Sequence, residues 1–491
     1  MDVPVPDRAD TVIVGGGTAG CVLAARLSAD PDREVCVLEA GPVFSAVAEL
    51  PDDLRRAGRM PIGPGSPWVW RYPVRLAEGP VESAIVRGRV LGGSGAINGG
   101  YFVRALATDF AAWARDCPEW TFEAVLPGYQ QIERDLDYGE LPGHGRAGPI
   151  PVRRTVNPVP ASVEFAAAAL AAGFPEIPDL NALPESLPGT GVGPVPCNLD
   201  SGMRAGSATE YLLPALARPN LAVRGSVMVT RIRFHGDLAV GLDYMCEGRS
   251  GTIAADRVVL CAGAVESAAL LLRSGVGPPE QLRALGIPVR AALPVGAWCT
   301  DHPEVGIEYR GGPGTGADAV ALEYVLVHED LELRPYAVGF GADPAVRRVG
   351  AALMRPRSAG ELRLAAADPA TPPRLDYRYL SVESDRRRLR AAADLAIELV
   401  WRIPGTAVAG QQPGISWLRA NLGTSQHLSG TCRMGPAGDE RAVVDQRCRV
   451  HGLDGLSVAD LSVVPVPLSR GPQATVLMIA ERAAGFVLES M

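Results

Sequence analysis

A glycine-rich loop followed by a distant acid is the first arrangement in this sequence that could do chemistry. Gly15-Gly16-Gly17-Thr18-Ala19-Gly20 fits GxGxxG, whose glycines make a tight turn and let the backbone approach a pyrophosphate. Glu39 lies 19 residues after Gly20, the spacing at which an acid accepts hydrogen bonds from a ribose. An acid there disfavours a 2′-phosphate, so we predict FAD or NAD and not NADP. The residues predicted to hold the dinucleotide are Gly15, Gly17, Thr18, Ala19, Gly20, Glu39 and Ala40.

A second glycine-rich run occupies residues 88–100. It is too dense in glycine for regular structure and too apolar for a solvated linker. Such a run is typical of backbone in close contact with another group.

These loops need a parallel sheet to position them. Residues 11–14 and 35–39 are apolar, strand-like runs, and the apolar residues between them recur with helical spacing. This order of strand, helix and strand predicts a βαβ unit. Residues 220–233 and 239–244 alternate like antiparallel strands, and 257–261 reads as a buried strand. Helices are predicted over 161–173, 383–401 and 473–487.

Composition limits the remaining functional classes. The 491 residues carry a net charge of -8, which argues against a general nucleic-acid binder. All basic residues are arginine, so lysine-dependent Schiff-base, kinase and P-loop chemistry is excluded. The nine cysteines form no CxxC pair, and neither cysteine nor histidine spacing predicts a metal site. No secretory signal and no apolar run long enough to span a membrane is visible, so we expect a cytoplasmic protein.

Five separated segments resemble the glucose–methanol–choline (GMC) oxidoreductases, a family of flavoproteins, over essentially the whole chain. In order they are Arg87-Gly-Arg-Val-Leu-Gly-Gly-Ser-Gly-Ala-Ile-Asn98, Gly263 to Gly277, Asp301-His302-Pro303, His427-Leu-Ser-Gly-Thr-Cys-Arg-Met-Gly435, and Asp460-Leu-Ser462 through Ala484.

The resemblance implies an α/β fold (α+β overall): a Rossmann-type FAD-binding domain interleaved with a substrate domain built on an antiparallel sheet. The FAD-binding domain would comprise 1–45, 81–150, 196–304 and 421–491. The substrate-binding domain would comprise 46–80, 151–195 and 305–420.

The resemblance also implies residue roles around FAD. Val229 would pack on the adenine, and Asp460 would bond the ribityl or pyrophosphate side. Ordinary turn chemistry for Ser94 and a helix or turn cap for Asp460 remain the alternatives. The residues expected at the flavin are Arg87, Gly92, Gly93, Ser94, Asn98, Pro472 and Gln473.

His427 is the residue predicted to perform the acid–base step. Oxidation of an alcohol by flavin needs a base for the hydroxyl proton, and histidine suits that task near neutral pH. His302 is expected to be structural. The other four histidines are expected in loops or at the surface, and they are His144, His235, His328 and His451.

Two departures from the family pattern matter. Ile97 stands where some members carry a histidine that attaches FAD covalently, so FAD is expected to be non-covalent. Gly471 stands where members carry a second catalytic His or Asn. We expect this glycine to leave space beside His427, and Arg470 or Gln473 to supply a hydrogen-bond donor.

The predicted function is FAD-dependent oxidation of a CH–OH group on a small-molecule or peptide-derived alcohol. Arginine-only composition and the segment Ser469-Arg-Gly-Pro-Gln473 resemble the branch associated with mycofactocin. That resemblance implies oxidation of mycofactocinol, with a respiratory quinone or a protein as electron acceptor, at the inner face of the membrane. Two alternatives stay open: a hydroxynitrile-lyase-type enzyme that retains FAD, and a non-catalytic flavin electron-transfer protein.

Overall fold

The computed structural model describes residues 4–79, 82–312, 319–339, 343, 345–408 and 413–489. The outermost predicted domain limits, at residues 1 and 491, and the predicted boundary between residues 80 and 81 lie outside these ranges.

The first sheet has seven strands and a parallel centre. Arg8–Val14 lies between Val35–Leu38 and Arg249–Leu260, and both pairings are parallel. These central runs are nearly continuous in apolar residues because helices or loops cover both faces of the sheet. Its strands are Arg8–Val14, Val35–Leu38, Leu221–Arg224, Val227–His235, Leu238–Cys246, Arg249–Leu260 and Leu456–Val458.

One predicted strand of this sheet is in fact two strands. Leu221–Arg224 pairs parallel with Val35–Leu38, whereas Val227–His235 pairs antiparallel with Leu238–Cys246. Ser226 separates them with a φ of 57°, so the chain turns there. The alternation of side chains indicated strands. It could not indicate that Leu221–Arg224 pairs with Val35–Leu38, a strand near the start of the chain.

The second sheet also has seven strands, and its pairings are antiparallel. Helices Glu383–Trp401 and Pro160–Ala171 pack against it. Its strands are Thr190–Pro194, Pro303–Gly311, Tyr324–His328, Leu331–Pro335, Val346–Leu353, Thr406–Val408 and Leu422–Thr424.

Four further strands form a third sheet, namely Val69–Ala77, Glu82–Gly88, Glu361–Arg363 and Arg374–Tyr379. It joins segments that the proposed boundaries assign to different domains, and those boundaries stay a prediction. Two small two-stranded sheets pair Glu133–Asp135 with Ile150–Val152, and Leu199–Asp200 with Met203–Arg204.

Helices bring the two ends of the chain together. Helix Thr18–Leu27 packs against Gln473–Glu489, and Arg26 pairs with Glu481 at 2.8 Å. The three predicted helices are present with small changes at their ends. The α-helices are Thr18–Leu27, Asp52–Arg55, Ala107–Trp113, Phe122–Ile132, Pro160–Ala171, Leu213–Ala215, Gly263–Arg273, Pro279–Ala284, Glu383–Trp401, Ile415–Ala420 and Gln473–Glu489.

The mixed architecture confirms the predicted α/β fold class. No helix in the described ranges combines the length and apolar character that crossing a bilayer requires.

Candidate active site and cofactor cradle

Two glycine-rich loops meet at the carboxyl end of the first sheet. Gly15 has a φ of +98°, and a Cβ there would lie 2.6 Å from the Cys261 carbonyl oxygen. A Cβ on Gly20 would lie 1.9 Å from the Gly15 oxygen, and one on Gly93 would lie 2.8 Å from Gly17 Cα. Only glycine allows this packing, which turns the N-terminus of helix Thr18–Leu27 towards a cavity.

Most of the residues predicted to bind the cofactor line that cavity. Sequence analysis did not single out several others on its wall, and these are Trp70, Tyr72, Glu266, Gln426, Leu428 and Val476. The predicted residues on the wall are Gly15, Gly17, Thr18, Ala19, Glu39, Ala40, Arg87, Gly93, Ser94, Val229, Asp460, Pro472 and Gln473.

Three predicted cofactor residues support the loops from behind. Gly20 gives the helix its close approach to Gly15. Gly92 is left-handed, with a φ of 90°, and donates its N–H to the Gly16 oxygen at 2.7 Å. Asn98 accepts the Gly100 N–H at 3.0 Å through its side chain, so it closes the end of the loop.

Glu39 is held in place by backbone donors. Its two carboxylate oxygens each accept one N–H at 2.8 Å, from Gly16 and from Gly41. Burial raises the pKa of Glu39 to about 7, although those N–H groups oppose the rise. The carboxylate lies on the cavity wall, where it can accept hydrogen bonds from a ribose.

Asp460 is both a turn cap and a cavity residue. Its carboxylate accepts the N–H of Ser462 at 2.8 Å, the N–H of Gly263 at 2.9 Å and the Ser267 hydroxyl at 2.6 Å. Burial raises its pKa, and these donors oppose that rise. Asp460 therefore caps a turn, as the alternative interpretation predicted, and it also lines the cofactor cavity.

Gln473 supplies a test of whether FAD fits. It begins helix Gln473–Glu489, and its Nε2 is buried with no hydrogen-bond partner among the described residues. A Cβ on Gly95 would lie 2.9 Å from that nitrogen, so the amide rests directly on the second glycine loop. An unpaired amide donor on a cavity wall fits a ligand with carbonyl or ring-nitrogen acceptors, as FAD has.

Ser94 and Ile97 belong to the same loop but have different surroundings. Ser94 accepts the Gly88 N–H at 3.1 Å, which is turn chemistry, and it also lines the cavity. Ile97 is 4% exposed and packs away from the cavity into a small apolar cluster. The buried members of that cluster are Leu50, Leu54, Val90 and Ile97.

His427 is in direct contact with a second histidine. The Nδ1 atoms of His302 and His427 lie 2.9 Å apart, and His302 Nε2 lies 2.8 Å from the Leu468 carbonyl oxygen. A carbonyl can only accept, so His302 donates from Nε2 and, when neutral, accepts at Nδ1. His427 must then donate from Nδ1, which leaves its Nε2 as the basic nitrogen.

The environment keeps this pair neutral. Burial lowers the pKa of His302 to about 4, and burial together with the neighbouring His302 places the pKa of His427 well below 6.5. The charges of Arg334 act in the same direction on both rings. The expectation that His302 is purely structural therefore needs correction, because its ring fixes the tautomer of the candidate base.

Asp301 anchors both histidines through the backbone. One carboxylate oxygen accepts the N–H of His302 at 2.7 Å and that of His427 at 2.8 Å. Burial raises the pKa of Asp301, and Arg87, whose guanidinium lies 3.9 Å away, opposes the rise. Arg87 also donates to the Gln426 side chain at 3.0 Å. Strand Pro303–Gly311 begins directly after this pair and fixes its position.

The space expected beside Gly471 is filled, which corrects the sequence interpretation. A Cβ on Gly471 would lie 2.8 Å from a ring carbon of Tyr101 and 3.8 Å from His427 Cε1. The Tyr101 hydroxyl donates to Glu332 at 3.0 Å, and Glu332 accepts from Arg334 at 2.7 Å. A tyrosine from a distant segment thus occupies the place of the missing second residue, and no motif signalled it.

Arg470 and Gln473 do not share the role predicted for them. Gln473 lies on the cofactor cavity, whereas Arg470 is 2% exposed and lines a separate cavity. Its NH1 donates to the Ser469 oxygen at 3.0 Å.

His144 is not a surface residue, contrary to the sequence expectation. It is buried, with Nε2 2.9 Å from Asp179 and Nδ1 3.2 Å from both Glu133 and Asp135. Burial alone would lower its pKa, but the carboxylates outweigh burial and raise the pKa to about 10. The same carboxylates are ion-paired to arginines, so the group is a balanced cluster of charges; the arginines are Arg104 and Arg154.

Of the remaining histidines, His235 is exposed at the end of strand Val227–His235. His328 is half-buried at a strand end, and His451 is half-buried in a turn, where it contacts the Gly435 oxygen at 3.0 Å.

The parallel sheet and its glycine cradle are those of a dinucleotide-binding protein, and His427 lies in sequence between two residues that line the cradle, Gln426 and Leu428. Family models described as GMC oxidoreductase match residues 9–304 and 356–480. The chain belongs to the GMC oxidoreductase family.

Individual relatives match along nearly the whole length. A Rhodococcus erythropolis protein described as an uncharacterized GMC-type oxidoreductase in the thcA 5′ region is 45% identical, covering 98% of this chain and 99% of that protein. The 5-(hydroxymethyl)furfural oxidase of Methylovorus sp. strain MP688 is 34% identical, with 98% of each chain covered. The crystal structure of pyridoxine 4-oxidase from Mesorbium loti is 28% identical, with a TM-score of 0.89 over 97% of this chain and 99% of that one.

The predictions of family, cofactor and enzyme class are confirmed. The protein is a FAD-dependent enzyme that acts on alcohol-type substrates. A purely non-catalytic flavin protein is thereby set aside.

Proposed function

We propose that the protein oxidises the CH–OH group of a compact alcohol, with His427 as the general base. The observation that carries this proposal is the hydrogen-bond chain from His427 Nδ1 through His302 to the Leu468 oxygen. It commits the proton of the His427 ring to Nδ1 and leaves Nε2 free to take the hydroxyl proton.

The residues around the site prepare that proton transfer. His427 is neutral at pH 7 because its pKa lies well below 6.5, so no proton has to be lost before the base can act. Asp301 holds both histidine backbones, and His302 orients the base through its ring nitrogen. When FAD is bound, its flavin would supply the acceptor for the hydride that leaves the carbinol carbon. The alcohol thus loses one proton to His427 and one hydride, and a carbonyl compound remains.

The filled position beside Gly471 favours a compact substrate. The Tyr101 ring packs against Gly471, so the widened pocket expected for a bulky peptide-derived alcohol lacks structural support. Oxidation of mycofactocinol, transfer of electrons to a respiratory quinone or protein, and a position at the inner face of the membrane rest on sequence resemblance alone. The relatives include enzymes named for 5-(hydroxymethyl)furfural and for choline, which supports a small hydroxymethyl compound as the first class to test.

Anaerobic flavin reduction is the decisive experiment. A panel of primary alcohols is mixed with the FAD-loaded enzyme in a stopped-flow instrument, and flavin bleaching is followed. Replacing His427 by alanine should slow bleaching by roughly 10²–10⁴-fold, the usual contribution of a general base, with FAD still bound. His235→Ala, which changes an exposed histidine at a strand end, is the matched control and should retain the wild-type rate.

Two results would overturn the proposal. Unchanged bleaching in His427→Ala would remove the histidine from the reaction. Conversion of a hydroxynitrile while the flavin stays oxidised, with no alcohol bleaching it, would assign the lyase alternative.

A further inference from the structure

A second cavity lies next to the active site and contains a buried arginine. Its volume is about 180 Å³, and its wall includes the segment 104–108, which follows Tyr101 closely in sequence. Arg470, immediately before Gly471, also lines it. Since the Tyr101 ring packs on Gly471 near His427, two segments that line the cavity continue in sequence into the site.

No carboxylate of the described residues forms an ion pair with Arg470. The side chain is 2% exposed, and its one hydrogen bond within the described ranges is NH1 to the Ser469 oxygen at 3.0 Å. Its Nε is buried without any partner there. The Arg470 charge also reaches Tyr101, because it opposes the rise in pKa that burial and Glu332 produce at the tyrosine hydroxyl.

The neighbouring arginine is already in use. Arg104 lines the same cavity, but its guanidinium pairs with Glu133 and donates to the Gly143 oxygen at 2.8 Å. Both arginines keep an unpartnered Nε, but of the two only Arg470 has no carboxylate partner among the described residues. A buried guanidinium without an acidic partner carries a desolvation cost that a bound anion would offset.

We propose that Arg470 binds the carboxylate of an alcohol substrate, so that the enzyme prefers hydroxy acids with an apolar body. The geometry of a guanidinium suits a carboxylate, which can accept two of its N–H groups. The rest of the wall is largely apolar and suits a hydrocarbon or aromatic frame between the two polar ends; Leu106, Phe122, Leu180, Pro184 and Leu187 contribute to it. This proposal rests on the proposed alcohol oxidation and adds a specificity-determining residue to it.

Paired substrates test the proposal on the FAD-loaded enzyme. The pair is 4-(hydroxymethyl)benzoate and 4-methylbenzyl alcohol. The first compound carries a carboxylate where the second carries a methyl group. We expect the wild type to favour the acid by about ten- to hundredfold in kcat/KM for flavin reduction, as a buried charge-assisted hydrogen bond would give. Arg470→Met should abolish the preference, Arg470→Lys should keep part of it, and Arg387→Met, an exposed control on helix Glu383–Trp401, should keep all of it.

A binding measurement separates this proposal from catalysis. Benzoate, which cannot be oxidised at a carbinol, should bind the wild-type holoenzyme in calorimetry and compete with 4-methylbenzyl alcohol, and Arg470→Met should lose that binding. Equal kcat/KM for the paired substrates in the wild type, or benzoate inhibition that is not competitive, would overturn the role of Arg470 while alcohol oxidation stands. If neither alcohol bleaches the flavin but benzoate still binds through Arg470, the proposed function fails and the anion site remains.

Discussion

Replacing His302 by phenylalanine should slow flavin reduction about 10- to 100-fold while FAD stays bound. Phenylalanine keeps an aromatic ring at this buried position but cannot accept the Nδ1–H of His427, whose Nδ1 now lies 2.9 Å from the Nδ1 of His302. A buried donor left without a partner costs about 1–3 kcal/mol. The His427 ring escapes that cost by moving its proton to Nε2, and the proton then blocks the nitrogen that should act as base.

The magnitude follows from that choice. Whether the ring keeps the unpaired donor or changes tautomer, the reactive arrangement is disfavoured by about 1.4–2.8 kcal/mol, which corresponds to 10- to 100-fold in rate. In the proposed mechanism the substrate meets His427, and His302 acts only through it, so the limiting rate of reduction should fall while the dissociation constant of the substrate changes little.

The pH profile separates positioning from mere structural support. In the wild type, kcat/KM should rise with pH through the low pKa of His427. It should reach its plateau at a pH well below 6.5. His302 helps to lower that pKa, so the acidic limb of His302→Phe should move to higher pH. Anaerobic stopped-flow reduction between pH 4 and pH 8 measures both effects.

Glutamine is the conservative control, because its amide can donate to the Leu468 oxygen and accept from His427. His302→Gln should recover most of the rate that phenylalanine loses. An unchanged reduction rate in His302→Phe would refute the tautomer argument. Equal losses in both variants, accompanied by loss of FAD, would show that His302 acts only in folding.

Three further outcomes are expected. Gly471→Asn should place its Cβ against the Tyr101 ring and slow flavin reduction by small and large alcohols alike; a loss confined to bulky alcohols would restore the open-pocket interpretation. FAD should separate from acid-denatured protein, because Ile97 offers no nucleophile, and flavin absorbance that stays with the precipitate would contradict this. His144→Gln should lower the free energy of unfolding in urea by about 2–4 kcal/mol at pH 7. Because the folded pKa of His144 is raised to about 10, the wild type should lose this advantage as pH rises through 10, and a difference that is independent of pH would contradict the cluster.

The cofactor cradle could be predicted because its constraints are local. Gly15 and Gly20 follow from a turn that admits no Cβ, and Glu39 follows from the length of one βα unit. Such rules depend on neighbours in sequence, so spacing alone was sufficient to place Gly15 and Glu39 on the cavity wall and Gly20 behind it.

The partners of His427 could not be predicted in the same way. His302 is 125 residues away in sequence, and Tyr101 reaches the site only because the chain packs segment 101–108 against the stretch before Pro472. A motif shows which residue types recur, but it does not show which ring nitrogen faces which acceptor. His144 illustrates the same limit, because a lone histidine in a polar segment looks exposed until Glu133 and Asp179 fold over it.

The glycine at position 471 has a physical explanation that joins these observations. Tyr101 fills the volume that a second catalytic side chain would need, and its hydroxyl is tied to Glu332 and so is directed away from acid–base work. In the proposed mechanism the proton therefore depends on a single base, His427, and the tautomer of that base depends on His302. An enzyme with two acid–base residues can tolerate a loosely held tautomer in one of them, whereas this one cannot. We therefore expect the contact between His302 and His427 to matter more for the rate than any side chain introduced at Gly471.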